Sequence, residues 1–150
     1  MNEIKWIYKP FAELDIHELY SILQVRSAVF VVEQNCPYLD ADNRDMDAHH
    51  LCGWKDDMLV AYARILPPGL AFVEASIGRV LTNPAYRRSG AGRELMQIAI
   101  ERAFSQYDVT VIRIGAQLYL QQFYTSLGFQ KVSDQYLEDD IPHIEMLLTK

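Results

Sequence analysis

Arg87, Arg88 and Arg93 bracket two glycines, Gly90 and Gly92, in a stretch that reads IGRVLTNPAYRRSGAGRELM from Ile77 to Met96. Small residues let backbone N–H groups approach an anion, and a helix beginning directly after them adds the partial positive charge of its N-terminus. That combination suits the phosphates of a cofactor, and the spacing discriminates among the known ways of holding them. A Walker loop requires Lys and then Ser or Thr after its second glycine, whereas Arg93-Glu94 follows Gly92. A dinucleotide fingerprint requires a third small residue three positions beyond its second glycine, and that position is Leu95. What remains is Arg87-x-x-Gly90-x-Gly92.

Other groupings carry less chemistry. Asp40, Asp42, Asp45 and Asp47 lie in NCPYLDADNRDMDAHH, but a calcium loop would need glycine where Asp45 stands and glutamate where Leu51 stands, so a solvated acidic loop is expected. His49 and His50, even with Cys36 and Cys52, lack zinc-ligand spacing, and adjacent histidines on a strand point to opposite faces; no metal is expected. The same two cysteines are too few and too scattered for a disulfide framework and read as reduced thiols. Arg26 falls inside the apolar stripe of the first helix, where an unpaired charge is costly. Two readings stay open for it, an ion pair with Glu33 and a contact to substrate.

These residues must be positioned by a chain of 150 residues, enough for one domain, 1–150, with a full core. Half of the residues are apolar and 23% charged, which places the chain among globular rather than disordered proteins. The net charge of -6 argues against nucleic acid as a partner, although the three arginines would hold an anion locally. No apolar run is long enough to span a bilayer, and MNEIKWIYKP lacks the hydrophobic region of a signal peptide, so a cytoplasmic protein with no membrane partner is expected. A homodimer is compatible with these totals.

Alternation of Ile4, Trp6 and Tyr8 predicts a first strand ended by Pro10. Asp15 and Glu18 form a capping signal for a helix running toward Phe30, with Ile16, Leu19, Leu23 and Phe30 on its apolar face. HLCGW and MLVAYARIL, joined at Lys55-Asp56-Asp57, read as an antiparallel hairpin, and a strand from about Phe72 to Leu81 delivers the chain into the glycine-rich bend. An amphipathic helix from about Gly90 to Gln106 buries Leu95, Met96, Ala99 and Ala103. The strand that follows, Val109 to Gly115, must run parallel to the one ending at Leu81, since a helix connects them. A short helix from Leu118 to Ser126 stops at Gly128, and the last twenty residues read as two strands joined at Glu138-Asp139-Asp140. The fold class is α/β in the α+β sense: a mixed, mostly antiparallel sheet with one parallel pair, flanked by helices.

Arg87-x-x-Gly90-x-Gly92 resembles the acyl-CoA signature of the GNAT N-acetyltransferases, written Q/R-x-x-G-x-G/A. A second segment, GAQLYLQQFYTSLGFQ, is similar to the family's later helix, with Gln117, Leu120, Phe123-Tyr124 and Gly128-Phe129 at the matching spacings. Gln117 replaces the usual Asn and Leu120 the usual Ala. QVRSAVFVVEQNCPY, HHLCGW, LVAYARIL, IGRV, GAQ and EDDIPHIEM resemble in order the ElaA-like branch, so the likeness covers nearly the whole chain.

The resemblance implies a GNAT acyl-CoA N-acyltransferase fold with a splayed parallel strand pair, acetyl-CoA as donor, and an amine, small-molecule or peptide, as acceptor. Backbone groups at Val80, Leu81 and Thr82 would pair with the pantetheine and polarise the thioester carbonyl. Arg87, Arg88, Ser89, Gly90, Ala91, Gly92 and Arg93 would hold the pyrophosphate, with Gln117 and Phe123 also on the cofactor. Tyr124, at the family's tyrosine position, would protonate the departing CoA thiolate or hold its sulfur by a hydrogen bond. Glu33, His143 and Glu74 are candidate bases, with Arg26, Glu33 and His143 as acceptor contacts. A CoA-binding sensor or interaction module that transfers nothing is the alternative. The acidic balance and the aspartate loop suit a cationic acceptor or simply a solvated surface.

Overall fold

The computed structural model describes residues 3–150. Four strands, β1 (Lys5–Pro10), β2 (His49–Lys55), β3 (Met58–Leu66) and β4 (Ser76–Thr82), form an antiparallel sheet in that order. β3 is apolar at nearly every position and is buried from Leu59 to Leu66, because both faces of the sheet are covered there. Helix α1 (Ile16–Arg26) covers one face and α2 (Ala91–Tyr107) the other. A second sheet follows α2: β5 (Val111–Gln117), then α3 (Gln121–Ser126) and strands β6 (Gln130–Lys131), β7 (Tyr136–Glu138) and β8 (Ile141–Thr149). β8 is its hub, pairing antiparallel with β5, β6 and β7. Asp139 and Asp140 both take positive φ, 51° and 63°, in the two-residue turn between β7 and β8, the geometry that suits a tight hairpin.

Several expectations are confirmed. The capping box is present, with the Glu18 N–H donating to Asp15 Oδ1 at 2.7 Å and the Asp15 N–H to Glu18 Oε1 at 2.9 Å. α2 buries Leu95, Met96, Ala99 and Ala103, and Gly128 closes α3 at a φ of +105°. Others need correction. The buried stripe of the first helix is Ile22, Val25, Arg26 and Val29, while Ile16, in the first turn, is exposed; after Arg26 the helix leaves α geometry and continues as a π-helical segment, Ser27–Glu33. The strand expected from Phe72 begins only at Ser76, and the C-terminal region holds three strands instead of two.

β4 and β5 run parallel as anticipated, but they meet at one end only. Ala75 bridges Ile112, the Arg113 N–H donates to the Ala75 carbonyl at 2.9 Å, and the two strands then belong to separate sheets. β4 also carries a bulge: Arg64 pairs with Gly78 and Tyr62 with Leu81, so Arg79 and Val80 together oppose Ala63. Arg79 sits in the left-handed region at φ 49°, a conformation costing a non-glycine residue about 1–2 kcal/mol. The bulge shifts the phase of the strand, so Ile77 and Val80 both pack with the α2 cluster while Leu81 packs with α1.

The largest departure concerns the acidic loop. Arg26 does not pair with Glu33 and is wholly buried, its Nε donating to Asp40 Oδ2 at 2.8 Å and its Nη1 to Asp45 Oδ1 at 2.6 Å. Arg64 bridges Asp42 and Asp45, and Arg79 reaches Asp40 and Asp42. The segment is therefore no solvated loop: three of its aspartates neutralise three arginines that project from α1, β3 and β4. Burial opposes ionisation of Asp42, but the Arg64 guanidinium more than offsets it and holds the carboxyl well below the usual range; Asp45 is lowered likewise by Arg26 and Arg64. His50 lies beside the network, donating from Nε2 to the Asp45 carbonyl at 2.9 Å and accepting from the Tyr62 hydroxyl at Nδ1, 2.6 Å. Burial lowers its pKa from the ordinary 6.5.

Two stability predictions follow from this network. Arg26→Ala leaves Asp40 and Asp45 short of a buried partner and should cost about 3–5 kcal/mol in urea unfolding; a loss below about 1 kcal/mol would contradict the pairing. His50, neutral when folded, takes its proton first in the unfolded chain. Its contribution is complete above about pH 6.5 and is lost as pH falls below that, whereas the Asp42 and Asp45 contributions persist until about pH 4. The urea midpoint should therefore fall between about pH 6.5 and 5 in wild type and fall less in His50→Gln; equal slopes would refute the assignment to His50.

Candidate active site

Where β4 and β5 part, they leave a cleft of about 490 Å³. Val80, Leu81 and Thr82 line one wall, Gln117, Phe123 and Tyr124 the other, with Arg87 and Gly92 beside the start of α2 and His143 on β8. Residues spread over 64 positions of sequence, as Val80 to His143, are thus brought to one concavity. Backbone alternation sets what β4 presents. The Asn83 N–H donates to the Val60 carbonyl at 2.8 Å, so the Leu81 N–H also faces β3 and those of Val80 and Thr82 turn toward β5. Without the bulge, the group at position 80 would face β3 instead.

The turn before α2 has the features of an anion cradle. Arg88 and Gly90 take positive φ, 66° and 84°, and Ser89 Oγ donates to the Tyr86 carbonyl at 2.6 Å, folding the bend back on itself. The first N–H groups of α2 have no acceptor within the helix, and Ala91 finds only Ser89 Oγ at 3.4 Å. The arginine side chains are deployed differently from expectation. Arg87 is bidentate on Glu33 at 2.7 and 2.5 Å, and Arg93 donates to Ser126 Oγ at 2.7 Å while lying over the Phe123 ring, which ties the start of α2 to α3.

The three candidate bases separate cleanly. Glu33 points to Arg87 at the rim, and that guanidinium lowers its pKa. Glu74 lies outside the cleft, paired with Arg113, which lowers its pKa too. His143 is buried in the cleft wall, directly across the β5–β8 ladder from Gln117, with Tyr136 stacked on it. Its Nδ1 lies 2.7 Å from the Ile141 carbonyl, which can only accept, so Nδ1 carries a proton, and Nε2 lies 3.5 Å from Glu138 Oε2. Arg26 is not among the residues that line the cleft; its partners are Asp40 and Asp45. Tyr124 is 5% exposed, flanked edge-on by Phe123 and Phe129, and burial raises its pKa well above 10. No hydrogen bond among the described residues engages its hydroxyl.

A cleft at a splayed parallel pair, a glycine-rich bend at one helix start and a tyrosine on the facing helix together match a known arrangement. Residues 22–150 match the acetyltransferase (GNAT) domain. The chain belongs to the GNAT acetyltransferase family. It is 46% identical to Protein ElaA of Escherichia coli over 95% of each chain, and the crystal structure of that protein superposes with a TM-score of 0.91 over 97% of this chain and 99% of the other at 44% identity. An acyl-CoA N-acyltransferase from Pseudomonas aeruginosa superposes with a TM-score of 0.92 at 43% identity, covering 97% of this chain and 99% of the other. An aminoglycoside 6'-N-acetyltransferase solved with coenzyme A, 15% identical, shares the fold at a TM-score of 0.72 over 95% and 96% of the two chains.

This GNAT member is thus an acyltransferase of the ElaA-like branch. Its cleft also uses residues that sequence reasoning passed over: Gln34, Cys36, Tyr38, Arg79 and Glu138. Arg79 stood in the quoted IGRV, but nothing in the one-dimensional pattern marks a residue that will take positive φ. The two buried histidines adopt opposite tautomers, Nε2–H for His50 and Nδ1–H for His143. Long-range ¹H–¹⁵N correlation spectra at pH 8 should show the His50 and His143 rings in opposite patterns; an Nε2–H pattern for His143 would refute the assignment.

Proposed function

We propose that the chain transfers an acetyl group from acetyl-CoA to an amine by direct attack. The observation that carries this reading is a cleft with Val80, Leu81 and Thr82 on one wall and Tyr124 on the other, where the alternation of β4 would turn the Val80 and Thr82 N–H groups away from β3. The Val80 N–H would donate to the thioester oxygen, where negative charge develops as the amine adds. The bend from Arg88 to Arg93 would bind the pyrophosphate through backbone N–H groups, and Arg87 would exchange Glu33 for phosphate. Phe123 and Gln117 would flank the pantetheine.

His143 is the base favoured by position and tautomer: Nε2 would take the proton that the amine loses, while Ile141 fixes the ring. This reading sets two suggestions aside. Asp40, Asp42 and Asp45 are committed to arginines and cannot attract a cationic acceptor; Glu138 and Asp139 are the carboxylates that line the cleft. Tyr124, raised by burial, is a weaker acid than a thiol near 8.5, so full proton transfer to the departing thiolate would run uphill. Its role in this mechanism is to hold the sulfur by a hydrogen bond as the C–S bond breaks.

The test is incubation with acetyl-CoA and a library of small amines and peptides, following free thiol and acetylated product. Transfer is expected for some member. Binding of CoA with no transfer to any would favour the sensor. Once an acceptor is known, Tyr124→Phe should lower kcat by about 10²-fold, the usual cost of a lost transition-state donor, with the Kd for CoA changed less than about 3-fold. Unchanged kcat would remove Tyr124 from the mechanism.

A further inference from the structure

We propose that Arg79 is a positioning residue for acyl transfer: its guanidinium, anchored on Asp40, holds the β4 bulge that aims the Val80 N–H at the thioester. The inference rests on the acyl-CoA reading above. It begins from a mismatch between residue and backbone. Position 79 adopts φ 49°, which glycine takes freely and arginine does not, and a glycine stands next door at Gly78 with no need of that freedom. An arginine kept in a glycine conformation must supply something through its side chain.

What it supplies is a tether between three elements. Arg79 Nε donates to Asp40 Oδ1 at 2.9 Å and Nη2 to the Asp40 carbonyl at 3.0 Å, while the guanidinium lies 5.6 Å above the Tyr38 ring. Asp40 at the same time accepts from Arg26 Nε on its other oxygen and from Arg26 Nη2 on its carbonyl, and the Tyr38 hydroxyl reaches Oδ1 at 3.1 Å. One residue, 7% exposed, thus fixes α1, the loop and the bulge together. Fork-shaped donation of this kind specifies orientation as well as contact, which an ammonium could not reproduce. Arg79 is itself part of the cleft wall, adjacent to the N–H whose direction the bulge reverses. The pyrophosphate cradle lies on a different segment, so loss of the tether should disturb carbonyl polarisation more than cofactor affinity.

Arg79→Gly tests this, because it removes the tether while relieving the backbone strain, and Arg79→Lys keeps the charge without the fork. The probe is acetyl-CoA carrying ¹³C at the thioester carbonyl, with binding measured by calorimetry and the carbonyl stretch by isotope-edited infrared spectroscopy. Wild type should shift the stretch to lower frequency on binding. Arg79→Gly should bind within about 3-fold of wild type and return the stretch most of the way to its free value, with kcat down by about 10²-fold and Arg79→Lys in between. A folded Arg79→Gly that keeps the wild-type shift overturns the proposal, as does one that loses binding and polarisation in equal measure, the mark of a merely structural side chain. Should Arg79→Gly fail to fold, Arg79→Lys decides by the same two readings. A wild-type protein that binds no acetyl-CoA overturns the acyl-CoA reading beneath it, an outcome distinct from binding without a carbonyl shift.

Discussion

Two parallel strands that hydrogen-bond at one end and separate at the other set the terms for everything built around them. Ala75 and Ile112 meet; a few residues on, β4 belongs to one sheet and β5 to the other. Strands that part leave backbone N–H and C=O groups without partners, a condition that interiors avoid unless a ligand or water completes them. In this chain the unpaired edge of β4 faces a cleft walled by α3 and β8. An edge of this kind is one to which an extended, amide-bearing ligand can add as a strand would.

The arginine–aspartate network is what lets a loop of fifteen residues with only one short helical turn pack against the sheet. Arg26 and Arg64 are almost completely buried, and charges in such places are costly unless paired and hydrogen-bonded. Three arginines from three regular elements meet three carboxylates from one loop, so the loop's path is dictated by where the guanidiniums point. An apolar replacement could match the stability but not the directionality, since hydrophobic contact does not specify orientation. That directionality reaches Asp40, whose two oxygens and carbonyl orient side chains of both α1 and β4.

Much of this was legible in advance. Two strand-like runs joined at Lys55-Asp56-Asp57 gave the hairpin of β2 and β3, helical periodicity gave the face of α2, and the resemblance carried by the Arg87-to-Gly92 spacing with Tyr124 and Gly128 downstream implied the cleft. All of these are local patterns with a fixed period or offset. What escaped was non-local. Arg26 had Glu33 seven residues away and chose Asp40 and Asp45, because the π-helical segment carries Glu33 out to Arg87. Four aspartates in a loop look solvated unless the arginines that will surround them are known, and those lie up to thirty-nine residues away. Ile16 fits the helical period of an apolar face, yet it is exposed, because the buried stripe runs through Ile22, Val25 and Arg26 and is set by where the aspartate loop and the sheet lie.

The two faces of the cleft differ in stiffness, and the difference has a direction. On one face α2 rivets both sheets, with Leu95, Met96 and Ala99 in a single core alongside Ile77 of the first and Ile112, Ile114 and Met146 of the second. Separating them there would expose apolar surface at roughly 25 cal/mol per Å², so that side stays shut. On the other face the segment after α1 reaches the second sheet through two hydrogen bonds, Gln34 Nε2 to Gln117 Oε1 at 3.4 Å and the Cys36 thiol to the Asp139 carbonyl at 3.4 Å. The Glu33–Arg87 pair nearby is half exposed, and such pairs contribute about 0–1 kcal/mol. The cleft is thus closed by apolar packing on the α2 side and bordered by hydrogen bonds on the α1 side, where Gln117 and His143 pair across β5 and β8.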